Sequence, residues 1–379
     1  MDRTGNGLEA LVKTGRTLVE LAQEIERQAN AKRDYLVQTA AVEVVPVVEA
    51  ERPEDRVLLT VPGGSIEPLG INSLAHEQLD EWAEIPRKYY RRMLDEQPAL
   101  LANNLNTWLR AKPATRMVRS LDGRARAWLS NVYRPMDYVE MAEAVLPVLR
   151  LLDLEILSCE VTERRLYLKA VDRRITLDLP TGRKMGDGSH VFFDTLSPAL
   201  VISNSEVGCG ALSVEAGVWT KVCTNLAIAS QRSMRKYHLG ARADLGAEVM
   251  ALLSDDTRRK TDAALWAQVR DVVKAAFDRA KFEALVDSWK GATEQKIEGD
   301  PVKVVEVVSK KLAITDGERP SVLRHLIEGG DLSQYGLFNA ITRTAEDLPD
   351  YDRATEFERL GGKVIELSPA DWKPLATAA

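Results

Sequence analysis

The chain has 379 residues, of which 45% are hydrophobic and 28% charged, and its formal net charge is −6. This composition is typical of folded globular proteins and excludes wholesale disorder, while the length allows two or three domains. No apolar run approaches the roughly 18 residues of a membrane-spanning helix, and the N-terminus lacks a secretory signal. We therefore expect no membrane partner and a cytoplasmic location. Three cysteines without metal-ligand spacing favour unpaired thiols in a reducing compartment.

The net charge conceals a strong asymmetry along the chain. Residues 1–85 carry 8 basic and 16 acidic residues, residues 86–242 carry 24 and 16, and residues 243–379 carry 19 and 25. A basic middle between acidic flanks indicates an anionic partner, although a solvated arginine-rich face is the alternative interpretation.

The N-terminal third predicts a helix, then strands, then short helices. Apolar positions in residues 7–30 recur mostly every three or four residues, so we assign residues 1–34 to an N-terminal helix. Residues 35–62 are rich in β-branched residues and predict two strands. The next stretch is helical in pattern, and Pro86 and Pro98 divide it into short helices.

The middle of the chain has the strongest strand signals. Asp122-Gly123 separates two alternating runs and predicts a hairpin, because this dipeptide favours the positive φ of a tight turn. A helix from Pro135, two strands and a second hairpin around Gly208–Gly210 follow. A helix is predicted from about Thr220 to Lys236.

These elements predict an α+β fold, with a central antiparallel sheet built from hairpins, packed helices and a mostly helical C-terminal region. Its α+β core with a basic surface would span residues 35–242, and the helical region residues 243–367. Residues 368–379 end in small residues and predict a flexible tail.

Catalytic motifs are missing from the sequence. There is no phosphate-binding loop, no glycine-rich dinucleotide motif, no HExxH pair and no nucleophile elbow. A metal or phosphate site could form in residues 184–206, from Lys184, Asp187, His190 and Asp194, although a glycine-rich loop with solvated charges is the plainer interpretation. The polar run Ser203–Glu206 is interpreted first as a turn. We predict no cofactor and no metal, and lean against an enzyme.

Cationic and aromatic residues are interleaved in the basic middle. Arginine suits phosphate because its planar fork matches the phosphate oxygens, and exposed aromatic rings can stack on unpaired bases. Core packing is the alternative for the aromatic residues. The candidate nucleic-acid contacts are Arg87, Lys88, Arg91, Arg92, Arg116, Arg119, Arg124, Arg126, Arg134, Arg232, Arg235 and Lys236, with Tyr90, Trp128 and Tyr133 for stacking.

Four stretches resemble a family encoded by phages and plasmids, domain of unknown function number 932. They are RSLDGRARAWLSNVYRPMD (119–137), residues 199–225, RSMRKYHLG (232–240) and residues 335–367. The resemblance implies a mobile element and the host bacterial cytosol. The architecture, a sheet of hairpins followed by a basic helix, is also similar to Rad52-type single-strand annealing proteins, which assemble into rings or helical oligomers and hold DNA without nucleotide hydrolysis.

The leading hypothesis is a single-stranded nucleic-acid-binding protein of a phage or mobile element. It would promote DNA annealing and recombination without nucleotide hydrolysis, as a homo-oligomer, with phage or host recombination and replication proteins as further partners. One alternative is a protein-interaction module for host takeover or anti-defence that does not bind DNA. Another is a metal-dependent enzyme that uses residues 184–206. The choice between DNA and RNA, and the role of the acidic helical region, stay open.

Overall fold

A computed structural model describes residues 15–63, 67–181, 193–221, 225–236 and 255–378. Its first part alternates between helices and short strands. In chain order these are α1 (Leu18–Ala31), β1 (Arg33–Gln38), β2 (Glu43–Pro46), β3 (Val57–Thr60), β4 (Gly70–Ile71), α2 (Ser73–Trp82), α3 (Arg87–Glu96), α4 (Pro98–Ala111), β5 (Thr115–Leu121), β6 (Arg124–Ser130) and α5 (Tyr138–Leu151).

Longer strands come next, and helices complete the chain. They are β7 (Glu155–Val161), β8 (Leu166–Val171), β9 (Leu177–Pro180), β10 (Phe193–Asn204), β11 (Leu212–Thr220), β12 (Leu226–Lys236), α6 (Asp255–Ala276), α7 (Arg279–Glu294), α8 (Pro301–Lys311), α9 (Arg319–Gly329), α10 (Gln334–Asp347), α11 (Tyr351–Ile365) and α12 (Pro369–Ala376). The predicted α+β class, with antiparallel sheets and a helical C-terminal region, is confirmed. None of the helices in the described ranges is both long and apolar enough to cross a bilayer.

The smaller sheet has the strand order β1-β5-β6-β4. Its β5–β6 hairpin turns at Asp122 and Gly123, whose φ angles are 51° and 75°. Two successive positive φ angles are what a type I′ turn requires, so the sequence signal and the turn agree. Helices α2, α3 and α4 cover this sheet with an apolar core that includes Leu101, Leu105 and Trp128.

The larger sheet has the order β12-β11-β10-β8-β7, with β9 beside β10, and its ladders are antiparallel. Alternation along each strand divides its side chains between two faces. Leu168 and Ile202 pack in the core that includes α1, α5 and α6. Tyr167, Lys169 and Glu215 lie on the opposite face, where they bond to side chains of α11.

The helix predicted for residues 220–236 is wrong, because this segment contains strand β12. It pairs with β11, with Leu226 opposite Trp219 and Lys236 opposite Leu212. Ile228 and Ala229 are fully buried. The neighbouring strand supplies hydrogen-bond partners and a buried face, and such tertiary context overrides a weak local helical pattern.

The C-terminal helices are not a separate layer that leaves the sheet exposed. Trp289 and Phe338 share one apolar core with Leu196 and Val218 of the larger sheet. The flexible tail predicted for residues 368–379 is also corrected, since α12 forms there and Trp372 is only 2% exposed. Burial of a tryptophan anchors the end of the described chain against α8 and its neighbours.

Candidate nucleic-acid interface

Arg119, a candidate phosphate contact, is fully buried. Its guanidinium donates to both carboxylate oxygens of Asp34 at 2.8 and 3.0 Å, to Asp137 at 3.2 Å and to the backbone oxygen of Glu206 at 2.7 Å. All three nitrogens of the guanidinium therefore donate to groups inside the protein. The prediction that Arg119 lies on a binding surface is corrected by this burial.

Arg126 is likewise internal. Its guanidinium pairs with the carboxylate of Glu206, and both side chains are almost completely buried. The same carboxylate accepts from the backbone N–H of Tyr138 at 2.7 Å and lies 3.4 Å from the ammonium of Lys32. The polar run that ends at Glu206 therefore joins the two sheets, and it is buried from Ser203 onward.

The other arginines near the hairpin also contact the protein itself. Arg124 donates to Asp55 at 2.9 Å and to the backbone oxygen of Ile71 at 3.1 Å. The guanidinium of Arg116 lies 5.8 Å from the centre of the Trp82 ring, and burial lowers its pKa. Arg134 pairs with Asp262 of α6. We conclude that the hairpin arginines stabilise the junction between elements.

The three aromatic candidates for stacking belong to the core. Tyr90 is 1% exposed, and its hydroxyl lies 2.8 Å from Nδ1 of His76. Trp128 packs edge to face on Trp82, and the Tyr133 hydroxyl donates to a backbone oxygen at 3.1 Å. Burial raises the pKa of the Tyr90 and Tyr133 phenols. These rings cannot stack on bases without unfolding, which corrects the prediction.

The basic run Arg232–Lys236 lies on strand β12 and not on a helix. The register places Arg235 opposite Ser213 and Lys236 opposite Leu212. Their side chains lie outside the described part of the structure. In the strand order, β12 stands at one end of the larger sheet.

The remaining candidates come together on α3. This helix buries Tyr90, Met93 and Leu94, and its other face is turned outward. The exposed face carries Arg87, Lys88, Tyr89, Arg91 and Arg92. The Arg91 and Arg92 side chains are 66% and 71% exposed, so the cations lie where a phosphate can reach them.

Three guanidinium groups converge on one carboxylate, that of Glu77 on α2. Arg164, from the turn between β7 and β8, donates to it at 2.9 Å, while Arg87 and Arg91 lie 3.6 and 3.9 Å from it. Arg87 also donates to Asp80 at 3.1 Å. Three cations therefore share two carboxylates, which leaves positive charge uncompensated at this surface.

Two exposed aromatic rings lie on α3 and on the neighbouring helix α4, and neither is among the stacking candidates predicted from the sequence. Tyr89 is 47% and Trp108 is 38% exposed. Trp108 donates to Asn104 at 3.0 Å, and the Lys112 ammonium lies 5.3 Å from the centre of its ring. The sequence alone predicts core packing for Trp108; its position just outside the buried stripe of α4 was the available signal that its ring is exposed.

The proposed metal site in residues 184–206 gains no support. Lys184, Asp187 and His190 lie outside the described residues. Asp194 is fully buried, and its carboxylate accepts from the Tyr335 hydroxyl at 2.8 Å. Within the described ranges, no cluster of three His, Cys, Asp or Glu side chains is arranged to hold a metal ion.

Three comparisons with known proteins give no match. No family model matches the chain, no curated protein matches it, and no solved structure matches it. The resemblance to the phage and plasmid family and the similarity to annealing proteins stay predictions.

Proposed function

We propose that this chain binds single-stranded DNA through the α3 surface. This surface is defined as the outward face of α3 together with Arg164 and the exposed ring of Trp108 on the neighbouring helix α4. The observation that carries the proposal is the convergence of Arg87, Arg91 and Arg164 on Glu77. A surplus of positive charge among guanidinium ions on an exposed surface attracts a phosphate backbone.

The ion pairs already present on this surface are no obstacle to phosphate binding. The three arginine side chains are 41–66% exposed. Exposed ion pairs contribute only about 0–1 kcal/mol, so exchanging or sharing a carboxylate costs little. A guanidinium also has five N–H donors, which lets it contact Glu77 and a phosphate together.

The exposed rings favour a single strand over a duplex. The faces of bases are available for stacking only when the strand is unpaired, and an aromatic side chain then contributes about 1–3 kcal/mol per base. Tyr89 lies between Lys88 and the exposed pair Arg91 and Arg92 in sequence. One helical face therefore combines a stacking platform with phosphate contacts.

The wider role in DNA annealing and recombination is part of the same proposal. It is supported by the sequence resemblance; the similarity to annealing proteins adds no support, because the basic helix on which it rested is strand β12. In this proposal, copies of the chain assemble so that their α3 surfaces extend one another, and no nucleotide is hydrolysed. Phage or host recombination proteins are the further partners.

The test is a binding titration of a fluorescent oligonucleotide at several salt concentrations. The variant is Arg91→Ala with Arg92→Ala, and the matched control is Arg279→Ala with Lys290→Ala, exposed cations of α7 that also make local helical ion pairs. We expect only the α3 variant to weaken binding. Its slope of log K against log salt should fall by about 0.7 for each phosphate that the variant no longer binds.

Two results would overturn the proposal. The first is a wild-type chain that does not bind single strands even at low salt. The second is an α3 variant that binds as tightly as the control, because the interface would then lie elsewhere. Equal affinity for a duplex of the same length would remove the role assigned to Tyr89 and Trp108.

A further inference from the structure

The α3 surface adjoins a second group of cations at Cys209. The Nη1 atom of Arg164 lies 3.8 Å from the Cys209 sulfur, and Nη1 of the next residue, Arg165, donates to the Cys209 backbone oxygen at 2.8 Å. Consecutive arginines thus contact one loop residue. Arg164 faces Glu77 on α2, whereas Arg165 lines a cleft beside α11.

This cleft has a volume of about 450 Å³ and lies between the larger sheet and α11. Arg165, Tyr167 and Glu215 line it on the sheet, and Arg359 and Lys363 line it on the helix. Pockets that hold small molecules measure roughly 300–1,000 Å³, so a nucleotide unit fits in this space.

Two of its cations are not neutralised by the protein. Arg165 donates to Cys209 and Ala211 backbone oxygens and to the Ser203 hydroxyl, all of which are uncharged. Lys363 is exposed, and its ammonium makes neither a hydrogen bond nor an ion pair with the described residues. Both positive charges are therefore available to an anion.

The carboxylates of the cleft are mostly occupied. Glu215 accepts from Arg359 at 2.6 Å, and Glu356 pairs at 2.7 Å with Arg353. Asp352 accepts hydrogen bonds from the hydroxyl groups of Tyr167 and Thr162. The lining therefore carries three cations and three carboxylates, so its formal charge is balanced, and Arg165 and Lys363 are its cations without a carboxylate partner among the described residues.

We propose that a strand held by the α3 surface continues past Cys209 into this cleft, where Lys363 and Arg359 contact its phosphates. The inference rests on the proposed function and adds the path of the strand. Arg359 can take part because its Nε and Nη2 hold Glu215, while its Nη1 has no partner among the described residues. The cleft is then the second half of one binding site.

The experiment compares Lys363→Ala with Lys373→Ala, an exposed lysine of α12 away from the cleft. Binding is measured with oligothymidylates of about 4 to about 16 nucleotides, the range of site sizes of single-strand-binding folds. For the longest strands, Lys363→Ala should weaken binding and lower the salt slope by about 0.7. For the shortest strands that bind, it should leave affinity unchanged, and Lys373→Ala should have no effect at any length.

The outcomes separate this inference from the proposed function. If the wild type binds no strand, the proposed function fails. If it binds through α3 but Lys363→Ala matches Lys373→Ala at every length, only the path into the cleft is overturned. A loss that is equal for short and long strands would also overturn it, because the cleft would then be the primary site and not a continuation.

Discussion

Arg126 and Glu206 form an ion pair whose side chains are 6% and 3% exposed. Arg126 belongs to β6 of the smaller sheet, and Glu206 follows β10 of the larger sheet, so the pair links the two sheets. The Lys32 ammonium lies 3.4 Å from the same carboxylate. The hairpin is rich in arginine, yet in the fold Arg126 forms a buried contact between the two sheets.

Replacing Arg126 by alanine should destabilise the protein. Removal of one partner of a buried pair leaves an uncompensated charge and costs about 3–5 kcal/mol, and we expect the lower end because Lys32 stays near Glu206. The measurement is the free energy of unfolding in urea. Arg279→Ala, an exposed arginine of α7, should change it by no more than about 0.5 kcal/mol. If Arg126→Ala kept full stability and lost DNA affinity, the hairpin would be the interface after all.

Glu318 should contribute stability that disappears in acid. Arg353 donates to both carboxylate oxygens of Glu318 at 2.7 Å, and this hydrogen bonding lowers the pKa of Glu318 from 4.5 to about 2. Because the folded pKa lies below the unfolded one, the stabilisation is present above pH 4.5 and is lost as the pH falls toward 2. Urea unfolding of wild type and Glu318→Gln should differ at neutral pH and converge near pH 2. Parallel pH profiles would contradict this account.

Gly362 should be essential to the packing of α11 on the larger sheet. A Cβ at this position would collide with the backbone oxygen of Ile228 in β12, which cannot rotate away. Gly362→Ala should therefore destabilise by about 1–3 kcal/mol, as overpacking does. The matched control is Gly291→Ala in α7, where a Cβ meets open space; it should stabilise by about 0.5–1 kcal/mol. Thermal and urea unfolding of both variants give the comparison, and equal effects would contradict it.

Cys209 offers a probe of the strand path. Burial raises the pKa of its thiol, so alkylation of the free protein should be slow but measurable. A strand that passes from Arg164 to Arg165 should slow it further, as followed by peptide mapping with and without oligothymidylate. Cys159 is fully buried and should stay unreactive in both states. An unchanged rate at Cys209 would exclude the path past this residue.

Structural features that depend only on neighbouring residues in the chain, such as turns and helix ends, were predictable from the sequence. The Asp122-Gly123 turn, the helix breaks at Pro86 and Pro98 and the α+β class all appear as expected. The basic cluster on α3 was also recognised from its composition. Strand β12 was not, because pairing with β11 decided its conformation.

Sequence determined which segments are basic and which turns are tight, since both depend on residue type and near neighbours. Only the tertiary structure decided which cations are free to meet a partner. Arg119 pairs with Asp34 across 85 positions, and Arg126 with Glu206 across 80. Burial depends on such distant partners, and local pattern contains no information about them. The same contacts that bury the hairpin arginines leave Arg87, Arg91 and Arg164 together on the outside, around Glu77.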